Sequence, residues 1–153
     1  PDTALLVSSD LQRTIKTADT LTTPTRNRLA HIADLREFNF GDWDGKIFSE
    51  VADRDPVLSR AYWETPGDIA PPNGESWNAA AARVSAVVDT LNAAHPDAHI
   101  IAVAHFGVIL TQVQRARGQT PVEALGQKIE PLSVTRLSHQ AGTWEAPQVN
   151  HCP

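Results

Sequence analysis

Apolar and polar positions fall into short blocks along this chain, and the block spacings predict strands alternating with helices. Ala4 to Val7 is an apolar run that leads into Ser8-Ser9-Asp10, after which Leu11, Ile15, Ala18 and Leu21 recur at helical spacing. The segment reads as strand, capped turn and helix, with one helix face turned inward. Ser9 stands three residues before Gln12, the spacing of a capping box. A second block has the same design: Ile100 to Ala104 is apolar, His105 closes it, and Gly107 opens a new apolar helix that ends near Arg117 with Gly118 as its terminal glycine. Trp77, Ala80, Val84, Val87, Val88 and Leu91 mark a long helix with one buried face.

The remaining blocks are shorter. Leu29 to Leu35 reads as a strand, and Lys46 to Arg54 and Val57 to Trp63 as two helices separated at Pro56. Thr65 to Gly74 carries three prolines and two glycines and reads as a loop. Ser133 to Leu137 and Thr143 to Val149 read as strands around a turn at Gln140-Ala141-Gly142. No repeat or linker interrupts the 153 residues, so one domain spanning 1–153 is expected.

Charge narrows the partners. The formal net charge of −5 and the lack of a basic run argue against nucleic acid and anionic membranes. An anionic ligand would therefore need a local positive pocket. No apolar run approaches the ~20 residues of a membrane span, and a cytoplasmic location is expected. The single cysteine, Cys152, cannot cross-link the chain to itself. His95 and His99 are four apart, but Pro96 interrupts a shared helix, and the sequence suggests neither a metal site nor a cofactor.

The candidate chemistry lies where the blocks end. In an open α/β sheet, ligands bind at the carboxyl ends of strands. Arg13 and His105 both belong there, and Arg13 sits beside the free N–H groups of a helix N-terminus, where an anion is favoured. Between them in sequence, Glu37 is embedded among Phe38, Phe40 and Trp43, and Glu75 lies in the turn that opens the long helix. Trp43, Trp63 and Trp77 are candidates for a pocket wall or for core packing.

Four segments, in this order, resemble the histidine phosphatase (phosphoglycerate mutase-like) superfamily, and within it the small bacterial phosphatases that include α-ribazole phosphatase. They are Ser8-Ser9-Asp10-Leu11-x-Arg13-Thr14-x-x-Thr17-Ala18, Leu35-x-Glu37-x-x-Phe40-Gly41-x-Trp43-Asp44-Gly45, Gly74-Glu75-Ser76, and the strand ending in His105-x-Gly107. The resemblance implies a three-layer α/β fold, an open sheet with helices on both faces. It implies a phosphomonoester hydrolase acting through a phosphohistidine, on a small-molecule phosphate ester and without a cofactor. Arg13 and His105 would hold the phosphoryl oxygens, helped by the N–H groups of Phe106 and Gly107. Phe106 stands where the family usually has glycine, which would narrow the pocket. Glu37 would be the general acid, its pKa raised by the surrounding aromatics. Glu75 is the alternative acid.

The family's nucleophile sits in an Arg-His-Gly motif on its first, central strand. None of the six histidines here follows an arginine or precedes a glycine. That strand is therefore expected to lie outside these residues, leaving the domain N-terminally incomplete and these 153 residues alone inactive. A buried strand carrying four or five apolar side chains contributes roughly 6–15 kcal/mol, comparable to the stability of a whole domain. The expectation is an open slot beside the Ile100 strand, with that strand and the Leu5 strand not fully paired to each other. The other reading is a non-catalytic phosphate-binding protein of the same fold.

Overall fold

A computed structural model describes all 153 residues. The chain builds β1 (Leu5–Ser8), α1 (Gln12–Thr20), β2 (Asn27–Arg28), α2 (Phe48–Arg54), α3 (Pro56–Glu64), α4 (Trp77–Ala94), β3 (Ile100–Val103), α5 (Phe106–Arg117), α6 (Pro121–Leu125), β4 (Val134–Gln140) and β5 (Thr143–His151). Single 3₁₀ turns occur at Ala33–Leu35 and Gly41–Trp43. None of the helices is long and apolar enough to cross a membrane.

Strands β2, β1 and β3 form a parallel sheet in that order, and β4 and β5 form a separate antiparallel hairpin. Val7 and Ile100 pack against α4 and α5 through Trp77, Ala80, Val84, Val108 and Leu110. Helix α1 packs against β1 and β3, and α5 packs against the hairpin. Parallel strands are normally covered on both faces, and β1 obeys this, with Leu6, Val7 and Ser8 fully buried. β3 does not: none of its four residues reaches full burial, and Ala102 is exposed.

Several expectations need correction. β1 and β3 pair directly and in unbroken register from Leu5 opposite Ile100 to Ser8 opposite Val103, so no strand is missing between them. The open position is on the other side: nothing in this chain pairs with the outer edge of β3, and no strand joins it to the hairpin. The expected strand from Leu29 to Leu35 is displaced to Asn27–Arg28. The chain still follows β1 through Leu29 N–H on Leu6 O and Ile32 N–H on Ser8 O, then winds into a 3₁₀ turn instead of continuing the ladder. Helix α6 was not expected, although Thr120-Pro121-Val122-Glu123 writes a capping box with proline at the first helical position. Pro56 does separate two helices, serving as the first residue of α3, and Gly118 adopts the left-handed conformation that ends α5 (φ 61°).

Candidate active site

Because β1 and β3 are adjacent and parallel, their carboxyl ends lie side by side. The Ser9 N–H donates to Val103 O at 3.3 Å, which ties the two exits together. Helices α1 and α5 begin immediately beyond, so Arg13, in the first turn of α1, faces His105, the residue preceding α5. Arg13 Nε donates to His105 Nδ1 at 3.2 Å. The other ring nitrogen, Nε2, lies 2.8 Å from Ser9 Oγ. His105 is 6% exposed. Burial, then the positive charges of Arg13 and Arg83, push its pKa down from its ordinary value near 6.5 to about 4.

The expected role of Ser9 as a helix cap is corrected by this geometry. The N-cap residue of α1 is Leu11, and it has no side-chain cap. Ser9 Oγ is instead drawn to His105, to Thr14 Oγ1 at 2.6 Å and to the Leu11 N–H at 3.4 Å. A buried hydroxyl beside a buried imidazole gains more from that partner than from a solvated helix end.

Glu37 reaches the same place from a loop. Its Oε2 accepts the Gly107 N–H at 3.1 Å, and its Oε1 accepts the Phe38 N–H at 3.0 Å. A Cβ at Gly107 would lie 2.7 Å from Glu37 Oε1 and 3.1 Å from Phe38 Cδ1, so glycine is what lets the Glu37 carboxylate approach this closely. Arg13, Glu37 and His105 are thus brought to one place at the start of α5. The Gly107 N–H, expected to face a phosphoryl group, is occupied by Glu37. The Phe106 side chain is 46% exposed.

Glu75 is committed elsewhere. It makes a two-pronged ion pair with Arg83 (2.5 and 2.9 Å) and accepts the Asn39 N–H at 2.8 Å. Arg83 also donates to the backbone carbonyls of Asp34, Arg36 and Glu37. One guanidinium therefore anchors the whole turn that presents Glu37, and the sequence reading missed it. Its only sequence signal was a lone charge in the apolar stretch Ala79 to Val88. Gly41 (φ 53°) locks the other end of the loop, with the Asp42 N–H on Pro72 O and no room for a Cβ, which would lie 2.1 Å from that oxygen. Arg36 pairs two-pronged with Asp10, holding that carboxyl below its ordinary range.

Beyond Phe40 the aromatics split. Trp43 and Trp63 line a shallow cavity of about 200 Å³ with Phe40, Lys46, Phe48 and Val51. Trp77 is in the main core and donates its indole N–H to Gln114. The site sets Arg13, which is in no ion pair, beside His105, with Arg83 and Arg36 each taken by a carboxylate. One positive side chain and one carboxylate thus flank the buried imidazole where two parallel strands end.

Comparison with known proteins fits this geometry. The chain is 37% identical over 102 residues to the bifunctional protein Rv2228c of Mycobacterium tuberculosis, an alignment covering 67% of this chain and 28% of that protein. It is 35% identical over 113 residues to the glucosyl-3-phosphoglycerate phosphatase of the same organism, covering 69% of this chain and 50% of that one. The chain therefore spans half or less of the length of these curated relatives. Among solved structures, Bacillus stearothermophilus YhfR superposes with a TM-score of 0.87 at 24% identity, covering 98% of this chain and 75% of that one, which shows the fold. Residues 1–151 match the family described as the histidine phosphatase superfamily (branch 1), and the chain belongs to that superfamily.

Proposed function

We propose that this chain carries the phosphate-binding and proton-handling part of a phosphomonoesterase site, which works through a phosphohistidine whose histidine is none of the six in this sequence. The observation that supports this most is the 3.2 Å contact of Arg13 Nε with His105 Nδ1 where two parallel strands end. Arg13 clamps the phosphoryl oxygens as a fork, and His105 adds a second contact once it is protonated. In the first step the nucleophilic nitrogen attacks phosphorus, the P–O ester bond breaks, and Glu37 gives its proton to the departing alkoxide. In the second, Glu37 takes a proton from water, the oxygen attacks phosphorus, and the N–P bond breaks to release inorganic phosphate. Glu37 takes this role ahead of Glu75, because Arg83 holds Glu75 in an ion pair. The substrate is a small phosphate ester, in keeping with a relative named for glucosyl-3-phosphoglycerate.

The test compares two chains. These 153 residues should bind inorganic phosphate in calorimetry without hydrolysing p-nitrophenyl phosphate. A chain extended ahead of Pro1 by a strand carrying Arg-His-Gly should hydrolyse it without added metal, on the order of 10⁶ faster. Equal turnover by both chains would sink the phosphohistidine route. Phosphate binding with no turnover in the longer chain would favour a non-catalytic phosphate-binding protein, and no phosphate binding by either would sink the site itself.

A further inference from the structure

The donors and acceptors around His105 leave one proton arrangement. Arg13 Nε can only donate, so His105 Nδ1 accepts and the neutral ring carries its proton on Nε2. That Nε2–H donates to Ser9 Oγ. Thr14 Oγ1 donates to Leu11 O at 2.8 Å, so Ser9 donates to Thr14 across 2.6 Å. The relay runs His105 Nε2–H to Ser9, Ser9 to Thr14, and Thr14 to the α1 backbone. Ser9 is fully buried and Thr14 is 4% exposed, so water does not compete for these bonds.

We propose that Ser9 and Thr14 are positioning residues: their buried hydroxyl relay holds His105 in a single neutral tautomer, and thereby reserves Nδ1, beside Arg13, as the atom that gains a proton when an oxyanion enters. An anion cannot be held by a bare Nδ1 lone pair. It draws Arg13 onto itself, and a solvent proton takes the vacated position on Nδ1, giving an imidazolium that donates to the anion. Burial, then the charged groups facing His105, set the direction. Arg13 from α1 and Arg83 from α4 oppose the proton in the empty site, and the incoming dianion reverses that balance. Glu37, with its Oε2 on the Gly107 N–H, stands on the favourable side.

This inference rests on the phosphate-site reading, and the test separates the two. Ring-¹⁵N-labelled histidine spectra of the full chain, with His105 assigned through His105→Gln, report the tautomer without any ligand. We expect one tautomer, protonated on Nε2, in the wild type and in Thr14→Ser. We expect a mixture in Ser9→Ala and Thr14→Val, with circular dichroism reporting that each is folded. Sulfate is the anion of choice because its charge is constant across the range. Its affinity should rise by up to tenfold per unit as pH falls from 7 to 5, with Nδ1 becoming protonated in the complex. Ser9→Ala should weaken it roughly three- to tenfold, with Thr14→Ser close to wild type. A wild-type proton on Nδ1, or an unchanged tautomer and pH slope in Ser9→Ala, overturns the proposal. Should Ser9→Ala not fold, the wild-type spectrum and the Thr14→Val and Thr14→Ser pair decide by the same criteria. Sulfate binding with Nδ1 left unprotonated overturns the proton-uptake step alone. If the tautomer responds as expected but sulfate and phosphate do not bind, the relay stands and the phosphate-site reading fails.

Discussion

Arg13 makes one hydrogen bond at the site, to His105, and is otherwise open to solvent, so its contribution is to binding more than to folding. Arg13→Ala should weaken phosphate binding by roughly 10- to 100-fold, since a charge-assisted hydrogen bond is worth about 1.5–3 kcal/mol. Isothermal calorimetry at fixed ionic strength measures this, and an unchanged affinity would remove Arg13 from the site. His105 carries a stability signature of its own. Its folded pKa of about 4 lies below the ordinary 6.5, so between those values the unfolded chain binds more protons than the folded one. Its stabilising effect is fully present above pH 6.5 and is lost as pH falls toward 4. The neighbouring Arg13 is open to solvent, which screens its charge, so the effect is roughly 1–3 kcal/mol. Urea titrations of wild type and His105→Gln should converge in pH dependence only above about 6.5. Arg13 and His105 were both legible in the sequence because His105 ends an apolar block and Arg13 opens the helix that follows one. The Ser9 relay was not legible: its partner His105 is 96 residues away, and locally the same serine writes a plausible helix cap.

At the scale of elements, the loop between β2 and α2 is held by α4 and by the turn that opens it. Arg83 donates to three carbonyls of residues 34–37 and to Glu75, with 22% of its side chain exposed. Arg83→Met leaves those acceptors unpaired and should cost about 2–4 kcal/mol, read from the urea midpoint. It should also reduce turnover in the extended chain by releasing Glu37. Gly107→Ala makes a narrower test. The added methyl would lie 2.7 Å from Glu37 Oε1, so Glu37 should swing away while the helix persists. In the extended chain, turnover of poor leaving groups should fall far more than that of p-nitrophenyl phosphate, whose leaving group hardly needs a proton. Equal losses on both substrates would mean that Glu37 is not the acid. Helices α1, α4 and α5 were legible because amphipathic spacing is a local property. Helix α6 and the shortening of β2 were not. A five-residue helix carries too little periodicity to see, and β2 is short because the chain, though still bonded to Leu6 O and Ser8 O of β1, leaves the ladder for the 3₁₀ turn at Ala33–Leu35.

For the whole molecule, the decisive feature is the outer edge of β3. In a parallel ladder alternate residues bond to opposite neighbours. Leu5 N–H on His99 O and Ser9 N–H on Val103 O fix the phase, so the Ile100 and Ala102 amides point away from β1. Native-state hydrogen exchange should find Ala102 exchanging far faster than Val7, and a chain extended ahead of Pro1 by a strand that pairs with this edge should gain protection there. Slow exchange at Ala102 in the 153-residue protein alone would mean that this edge is already covered, by a second copy or otherwise. The sequence by itself determined the family, the alternation of strands and helices, and which residues stand at strand ends, because these depend on neighbours a few positions apart. Only the tertiary structure decided that β1 and β3 lie directly side by side, that the open position is outside β3 and not between them, that Glu75 belongs to Arg83, and that His105 is backed by Ser9. The strand pairing and the Ser9–His105 contact join residues more than ninety positions apart, and even Glu75 and Arg83, eight apart, meet only because a turn leads back onto α4; each is fixed by which donor finds which acceptor once the chain is folded.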